Sequence, residues 1–439
     1  MHLSRIRIRN IRSIDDFEIT LGEAERPGWH VILGDNGAGK SSVIRAIALS
    51  VIGPSEAQAL RQDWSNWVQT GQESAEIDIV VVPGVQDGWA GKGKTSTSPI
   101  KAQITFQISA TSGPDSTGIP SGARKVDPPK FSKGTGNRTI WGGGTGWFSA
   151  SFGPYRRFSG GDLSYDRMFY SNPRAAPHLS AFGEDVALTE ALRWLQQLHV
   201  RSLEGNELDQ LVKDAIVDFV NRFDFLPHGA KIDEISSEKI TIKDGDFNIV
   251  SVNQMSDGYR SILSLTFELL RQMFQQYGSE TVLKHLDNNL GAITLPGVVA
   301  IDEIDAHLHP AWQKRIGEWF VTRFPQVQFF VTTHSPIICQ AAVKGSVWRL
   351  PTPGTSQEAA RVTGDDLNKL IYGSILDAFG TQFFGIGVTR SDASKEKLVQ
   401  LAQLNRRSLS EQLPSEDQSK LEELRAMLPS AAAKVADEI

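Results

Sequence analysis

The sequence has a single cysteine, no long apolar run and no excess of basic residues. Cys339 stands alone among 439 residues, which excludes an internal disulfide and predicts a reducing compartment. The apolar residues before it are typical of a buried structural thiol. Nowhere do about eighteen apolar residues follow one another, so no membrane span is predicted. The first ten residues, MHLSRIRIRN, lack the apolar core of a signal peptide, and a cytoplasmic location is expected.

The charge balance gives no overall basic signature. Lysine and arginine total 45 against 51 acidic residues, a net charge of −6. DNA contact would therefore need a local basic patch. Solvated strand and loop faces are the alternative interpretation of the same arginines. The candidates are Arg5, Arg7, Arg9 and Arg12 near the N-terminus, and Arg156 with Arg157.

The pattern of apolar residues predicts an α/β fold. The segment WHVILG is a buried strand that runs into a glycine loop, and SSVIRAIALSVIG is the helix that follows. GVVAIDEID and VQFFVTTHS are further apolar strands that end in polar residues. Strands that alternate with helices indicate a largely parallel sheet. Two strands are also expected within residues 1–21, a helical lobe between Glu184 and Phe223, and two polar helices after Ser391.

GDNGAGKSS, residues 34–42, is the strongest motif. It fits G-x-x-x-x-G-K-[ST] and lies between a buried strand and a helix, where a P-loop must lie. Its glycines let backbone N–H groups face phosphates. Lys40 is expected to neutralise the β- and γ-phosphates, and the Ser41 hydroxyl to hold Mg²⁺. The predicted nucleotide-binding residues of this loop are Asn36, Gly37, Ala38, Gly39, Lys40, Ser41 and Ser42.

Polar residues at two strand ends predict the rest of a hydrolytic site. Asp302 follows the strand GVVAI and is expected to hold Mg²⁺ through water, while Glu303 would polarise the attacking water. His334 ends the next apolar strand and would sit beside the γ-phosphate, although a plain strand-end histidine is the alternative. Gln69, just before a strand, is a candidate bridge between Mg²⁺ and the water.

A second phosphate-binding feature lies far along the chain, in VNQMSDGYRSILS. Ser256 stands where an N-cap belongs, and an apolar helical pattern begins at once behind Gly258. The free N–H groups and the dipole of such a helix start favour an anion. The P-loop already supplies one phosphate site, so the second calls for an explanation.

The order of these motifs resembles the ABC-type ATPase heads of the SMC, Rad50 and RecF group. The resemblance implies that Ser256, Asp257 and Gly258 form the signature, which caps the γ-phosphate held by a second subunit. Asp305 would be the D-loop residue at the same interface. It further implies ATP and Mg²⁺ as cofactors, ATP hydrolysis and a homodimer with two sandwiched nucleotides. Asp257 replaces a glycine of the family signature, and its negative charge predicts slow hydrolysis.

The sequences of these motifs are more specifically similar to those of compact bacterial ATPases, a family that includes the ATPase subunit of the Septu anti-phage system. The shared elements are MSDGYRS, IDEIDAHLHPAWQ, FFVTTHSPII and GPYRR. This resemblance implies a defence switch that controls a separate HNH-type nuclease. A DNA-repair clamp of the RecF or Rad50 type and the ATPase of a PARIS-type defence system stay as alternatives.

The predicted fold is therefore a P-loop NTPase, an ABC-type ATPase head with a mixed sheet, plus a helical lobe and a Gly-rich insertion. The predicted segments are the first part of the head (1–85), the Gly/Ser/Pro-rich insertion (86–147), the helical lobe with linker strands (148–250), the second part of the head (251–350) and a C-terminal helical extension (351–439).

Overall fold

A computed structural model describes most of the chain. It covers residues 1–60, 62–89, 98–109, 126–156, 171–183, 189–222, 225–287, 289–379, 381, 391–411 and 413–428. Arg157 and parts of the 86–147 insertion, which the sequence analysis named, lie outside the described residues.

The strands are β1 (His2–Ile11), β2 (Ile14–Thr20), β3 (Gly28–Leu33), β4 (Ser74–Val82), β5 (Ile100–Gln107), β6 (Lys130–Phe131), β7 (Ser149–Phe152), β8 (Lys231–Ile235), β9 (Ile240–Lys243), β10 (Ile249–Ser251), β11 (Leu286–Asp287), β12 (Ala292–Ile293), β13 (Gly297–Ile301), β14 (Val327–Thr333), β15 (Gly345–Arg349) and β16 (Ala360–Arg361). The helices are α1 (Lys40–Ile52), α2 (Pro54–Ala57), α3 (Leu179–Phe182), α4 (Thr189–Leu203), α5 (Glu207–Asn221), α6 (Asp257–Tyr277), α7 (Ser279–Lys284), α8 (Pro310–Arg323), α9 (Gly364–Ile371), α10 (Ile375–Phe379), α11 (Asp392–Ser410) and α12 (Ser415–Met427).

A parallel sheet forms the centre of the head. Its strand order is β16-β15-β3-β14-β13-β7, and every neighbouring pair is parallel except β15 with β16. The prediction of a largely parallel sheet is confirmed here. The sequence analysis did not single out β7, which is the edge strand beside β13. Parallel strands place their carboxyl ends at one edge, so the loops after β3, β13, β14 and β7 meet there.

A second sheet is antiparallel, in the order β2-β1-β4-β5-β6. The apolar side chains of β1 and β2 face the core, as their alternation predicts. Its outer face carries arginines of β1 paired with acids of the neighbouring strands: Arg5 with Glu18, Arg7 with Asp16, and Arg9 with Glu76 and Asp78. This part of the predicted basic patch is therefore a row of compensated charges on a strand face.

Aromatic side chains pack the parallel sheet against α8. Phe329 of β14 is fully buried, and its ring centroid lies 5.5 Å from that of Trp29 and 5.4 Å from that of Phe320. Phe324 adds a further edge contact at 6.4 Å. Such ring pairs contribute about 0.5–1.5 kcal/mol each beyond their buried area. The sheet is thereby held rigidly below the edge where the motifs lie.

The helical lobe consists of α4 and α5, which have the amphipathic pattern predicted for them. The chain forms two compact units, Met1–Gly373 and Ser374–Ile439. In the second unit α11 and α12 pack through Leu404, Leu421 and Leu424, within the two helices predicted after Ser391.

Cys339 is buried and free, as the sequence predicted, and burial raises the pKa of its thiol. Within the described residues, no helix is long and apolar enough to cross a membrane.

Phe329→Ala should destabilise the first unit by about 3–5 kcal/mol, because the substitution leaves a cavity among three aromatic rings. The free energy of unfolding from denaturant titration measures this. Phe247→Ala is the matched control, since Phe247 is 75% exposed and its loss should change stability by less than about 0.5 kcal/mol. Equal effects of the two substitutions would contradict the packing described.

Candidate functional site

The P-loop lies between β3 and α1, with its concave side at the carboxyl edge of the sheet. Gly39 is the N-cap of α1 and has a φ of 99°, a left-handed conformation that favours glycine. The Ala38 N–H donates to the Asp35 carbonyl at 3.1 Å, which closes the turn. The Lys40 ammonium donates to the carbonyl oxygens of Gly34 at 2.8 Å and Asp35 at 3.0 Å. Lysine and backbone N–H groups are thus collected around one loop.

Lys40 is buried among acidic groups. Burial lowers the pKa of its ammonium, and the negative charges of Glu303, Asp302, Asp35 and Asp305 oppose that shift in decreasing order. Glu303, Asp302 and Asp305 of the loop after β13 therefore act electrostatically on the P-loop lysine. The site combines an ammonium group with carboxylates, which are groups that can bind phosphate, a metal ion and water.

Two threonines of β14 fix the acidic loop. The Thr332 hydroxyl donates to the Asp302 carboxylate at 2.5 Å and accepts the Glu303 N–H at 2.8 Å. The Thr333 hydroxyl donates to the Asp305 carboxylate at 2.5 Å. The sequence analysis missed both threonines. Their signal was two consecutive hydroxyl side chains at the end of an otherwise apolar strand.

His334 follows β14 directly, with its side chain exposed at the carboxyl edge of the sheet. Because β14 lies between β3 and β13, His334 emerges between the P-loop and Asp302. The next residue is anchored, since the Ser335 hydroxyl donates to the Gln313 side-chain oxygen at 2.6 Å. The Gln313 amide in turn donates to the Leu308 carbonyl at 2.9 Å.

The signature segment starts α6 as predicted, with Ser256 in extended conformation at the N-cap. Its side chain makes no capping hydrogen bond, so the hydroxyl is not used by its own helix. Gly258 lies against the loop after the acids, because a Cβ there would come within 2.8 Å of the His307 carbonyl oxygen. The signature and the Asp305 loop of one chain therefore form one continuous surface. A cavity of about 720 Å³ opens beside them, lined among others by Tyr259 and Trp312.

Asp257, the departure from the family signature, forms an ion pair with Arg260 one turn later. The Asp257 carboxylate is 66% exposed, so solvent also screens it. The charge that the sequence analysis expected to repel phosphate is partly neutralised by its own helix.

Arg156 corrects the sequence analysis. It was considered for a basic patch or a solvated loop, but the residue is only 5% exposed. Its guanidinium donates to carbonyl oxygens of the acidic loop, including that of Asp302 at 2.8 Å and that of Glu303 at 3.0 Å. Burial lowers its pKa to about 10, and the negative charges of Asp302, Asp305 and Glu303 oppose that shift, so it is charged at neutral pH. It cannot contact DNA.

The turn between β1 and β2 lies against the P-loop, since a Cβ on Gly39 would come within 2.8 Å of the Ser13 hydroxyl. Arg12 in this turn lies over the Trp67 ring at 5.2 Å, and burial, with a smaller contribution from Arg45, lowers its pKa to about 10. Gln69 is next to the same turn, with its N–H donating to the Asn10 carbonyl at 2.9 Å. The Gln69 side chain donates to the Asp15 carboxylate beside this turn, and its Mg²⁺-bridging role stays a prediction.

The donor set fits a nucleotide with Mg²⁺. A hard cation prefers oxygen ligands, and Ser41 and Asp302 supply a hydroxyl and a carboxylate beside the phosphate-binding loop. Among the described residues, no group of three His, Cys, Asp or Glu side chains is placed to hold a metal alone. A cation here would take its remaining ligands from water and phosphate oxygens.

Comparison with known families agrees with this geometry. Residues 5–135 match the family described as "AAA domain", and residues 156–340 match "AAA domain, putative AbiEii toxin, Type IV TA system". The first match contains the P-loop and much of the 86–147 insertion, and the second contains the acidic loop. The chain resembles an ABC-type AAA ATPase. The resemblance inferred from the motifs is confirmed.

Individual relatives are similar in different degrees. The chain is 24% identical to "Septu protein PtuA" of Bacillus mycoides (strain KBAB4) over 353 residues, which are 79% of this chain and 40% of that protein. It is 38% identical to "Retron Ec83 probable ATPase" of Escherichia coli over 101 residues, 23% of this chain and 17% of that protein. The chain thus spans less than half the length of either relative.

Among solved structures, an SMC head bound to the C-winged helix domain of ScpA aligns with a TM-score of 0.47 and 16% identity. The alignment covers 84% of this chain and 100% of that one.

Lys40→Ala should weaken ATP binding by more than about tenfold, because the substitution removes the charge-assisted contact to phosphate. Equilibrium binding of a fluorescent ATP analogue measures it. Lys314→Ala on the exposed face of α8 is the control and should bind as the unmodified chain does. Unchanged affinity in Lys40→Ala, with an unchanged melting temperature, would remove Lys40 from the site.

Proposed function

We propose that the chain is an ATP-binding and ATP-hydrolysing switch subunit of an anti-phage defence complex. It forms a homodimer around two ATP molecules and controls a separate nuclease of the HNH type. The similarity to PtuA and to retron ATPases supports a role in defence. The dimer is supported by the arrangement of the site itself.

One observation carries the dimer. The chain has two phosphate-binding ends, the P-loop and the start of α6, and the Ser256 hydroxyl makes no capping bond to its own helix. A helix start favours anions, and an N-cap hydroxyl that does not cap its own helix can bind a phosphate from another molecule. A second copy of the chain brings such a phosphate on its P-loop, and a twofold axis then forms both sites at once.

The residues of one P-loop site have distinct roles in this proposal. Lys40 and the loop N–H groups bind the β- and γ-phosphates, and Ser41 with Asp302 would hold Mg²⁺, which supplies charge neutralisation. Glu303 accepts a proton from the attacking water, and His334 positions that water. Thr332 of β14 holds the acidic loop in place, because its hydroxyl donates to the Asp302 carboxylate and accepts the Glu303 N–H.

The signature completes the site of the other subunit. Ser256, Asp257 and Gly258 cap the γ-phosphate with the helix N–H groups, and Asp305 lies on the same surface. Asp257 still places a carboxylate near that phosphate, although Arg260 offsets it, and slow turnover follows. Slow turnover suits a subunit whose ATP-bound state is a signal.

The alternative of a DNA-repair clamp depended on free arginine patches. Arg5, Arg7 and Arg9 are paired with acids, and Arg156 is buried. No observation on the described residues favours this alternative over the switch.

Complementation tests the dimer. Lys40→Ala and Ser256→Arg should each abolish turnover alone, because one lacks a P-loop lysine and the other a signature. Mixed in equal amounts, they should recover up to about a quarter of the original ATPase rate, since half of the dimers contain one intact composite site. No recovery, with both variants folded, would mean that the signature serves its own chain. Each variant mixed with itself is the control.

Co-purification tests the switch. We expect the tagged chain, expressed with its two flanking genes, to carry a nuclease subunit, and native mass spectrometry with ATP and Mg²⁺ should show at least two copies of the chain. The same preparation without nucleotide is the control for ATP-dependent assembly. A lone chain that dimerises on ATP and binds DNA with a steep salt dependence would contradict the defence switch and support a repair clamp.

A further inference from the structure

Arg156 is a buried charged residue at the carboxyl edge of the sheet. It follows β7 after Gly153, Pro154 and Tyr155, and its side chain lies beneath the acidic loop rather than in the nucleotide cleft. A guanidinium has five N–H donors in a fixed plane. The acceptors are the carbonyl oxygens of Gly153 (3.0 Å), Asp302 (2.8 Å), Glu303 (3.0 Å) and Ile304 (3.4 Å) and the hydroxyl oxygen of Ser261 (3.1 Å).

Three of these contacts, those to Asp302, Glu303 and Ile304, hold the acidic loop. Glu303 has a φ of 45°, a left-handed conformation that is unfavourable for a residue with a side chain. Its N–H is bonded to Thr332 on one side, and its carbonyl to Arg156 on the other. With both backbone groups bound, the direction of the Glu303 side chain is set by the loop.

The contact with Ser261 connects Arg156 to the signature helix. Ser261 is 1% exposed and lies on α6, in the second turn behind Ser256. The Nε of Arg156 donates to its hydroxyl, so one planar group is bonded to both the acidic loop and the signature helix. Lysine cannot reproduce this, because its single ammonium has three donors and no fork.

We propose that Arg156 is a positioning residue for two ATP sites at once: it orients Glu303 in the site of its own chain and the signature helix that completes the site of the partner chain. This rests on the composite site of the proposed function. The two effects are separable, because Ser261 belongs only to the second.

The experiment uses the complementing pair. In that mixture the working site takes its P-loop and Glu303 from the Ser256→Arg chain, and its signature from the Lys40→Ala chain. Arg156→Lys should lower the recovered ATPase rate at least about tenfold when placed in either chain, since small misplacements at a reacting centre are costly. Ser261→Ala should lower it only when placed in the chain that donates the signature.

Ser264→Ala is the matched control. Ser264 is buried one turn further along α6, and its hydroxyl donates to the Ser261 carbonyl, within the helix. It should leave the recovered rate unchanged in both placements. The ATP affinity of the single variants Arg156→Lys, Ser261→Ala and Ser264→Ala should stay within about twofold of that of the unmodified chain, because no P-loop group is altered.

The outcomes separate. Loss from Arg156→Lys only in the chain that donates Glu303 would overturn the second role, and no loss in either chain would overturn both. If thermal unfolding shows that Arg156→Lys does not fold, the comparison of Ser261→Ala with Ser264→Ala tests the proposal by itself. Equal recovered ATPase rates of these two variants would overturn the proposal. A loss from Ser261→Ala that depends on the chain in which it is placed would support it. Failure of the parent mixture to recover would instead count against the composite site, before Arg156 is tested.

Discussion

The register of three parallel strands determines the chemistry of this head. β14 pairs with β3 so that Thr333 lies opposite Leu33, and with β13 so that Val331 lies opposite Ile301. The residues that follow the three strands are Gly34 of the P-loop after β3, His334 after β14, and Asp302 with Glu303 after β13. A slip of one residue would turn Thr332 away from Asp302, because side chains alternate between the faces of a strand. The backbone pairing of β14 with β3 and β13 thus sets the distances between the side chains of the site.

Above that edge the loops are held mainly by hydrogen bonds to backbone groups. Gly153, Asp302, Glu303 and Ile304 all offer carbonyl oxygens to one guanidinium. Buried carbonyls without partners are costly, and loops rarely satisfy them without help. A buried arginine meets that need here, while the acids around it balance its charge. The guanidinium thus bonds the loop through its backbone and not through the acidic side chains.

The sequence predicted the elements that carry periodic patterns and the motifs that have fixed spacing. The P-loop, the strand before Asp302 and the start of α6 all lie where local patterns placed them. Local patterns cannot report contacts made across long separations. Arg156 was misassigned because four of its five acceptors lie on residues more than a hundred positions away, and nothing around a charged residue in sequence shows its burial.

The short strand β7 was missed for a related reason. Four residues between a glycine-rich segment and Gly153 are too few to show a period. In the antiparallel sheet the pairing of β1 with β4 was not predicted, since the two strands are distant in the chain.

Cys339 has a consequence for chemical labelling of the protein. It is the only cysteine of the chain, it is buried beside the site, and its raised pKa keeps the thiol protonated. Thiol-directed dyes and spin labels need an exposed thiolate, which the folded chain does not offer. A cysteine introduced at a surface position would then be the single reactive thiol, so the chain already provides the background for site-specific labelling.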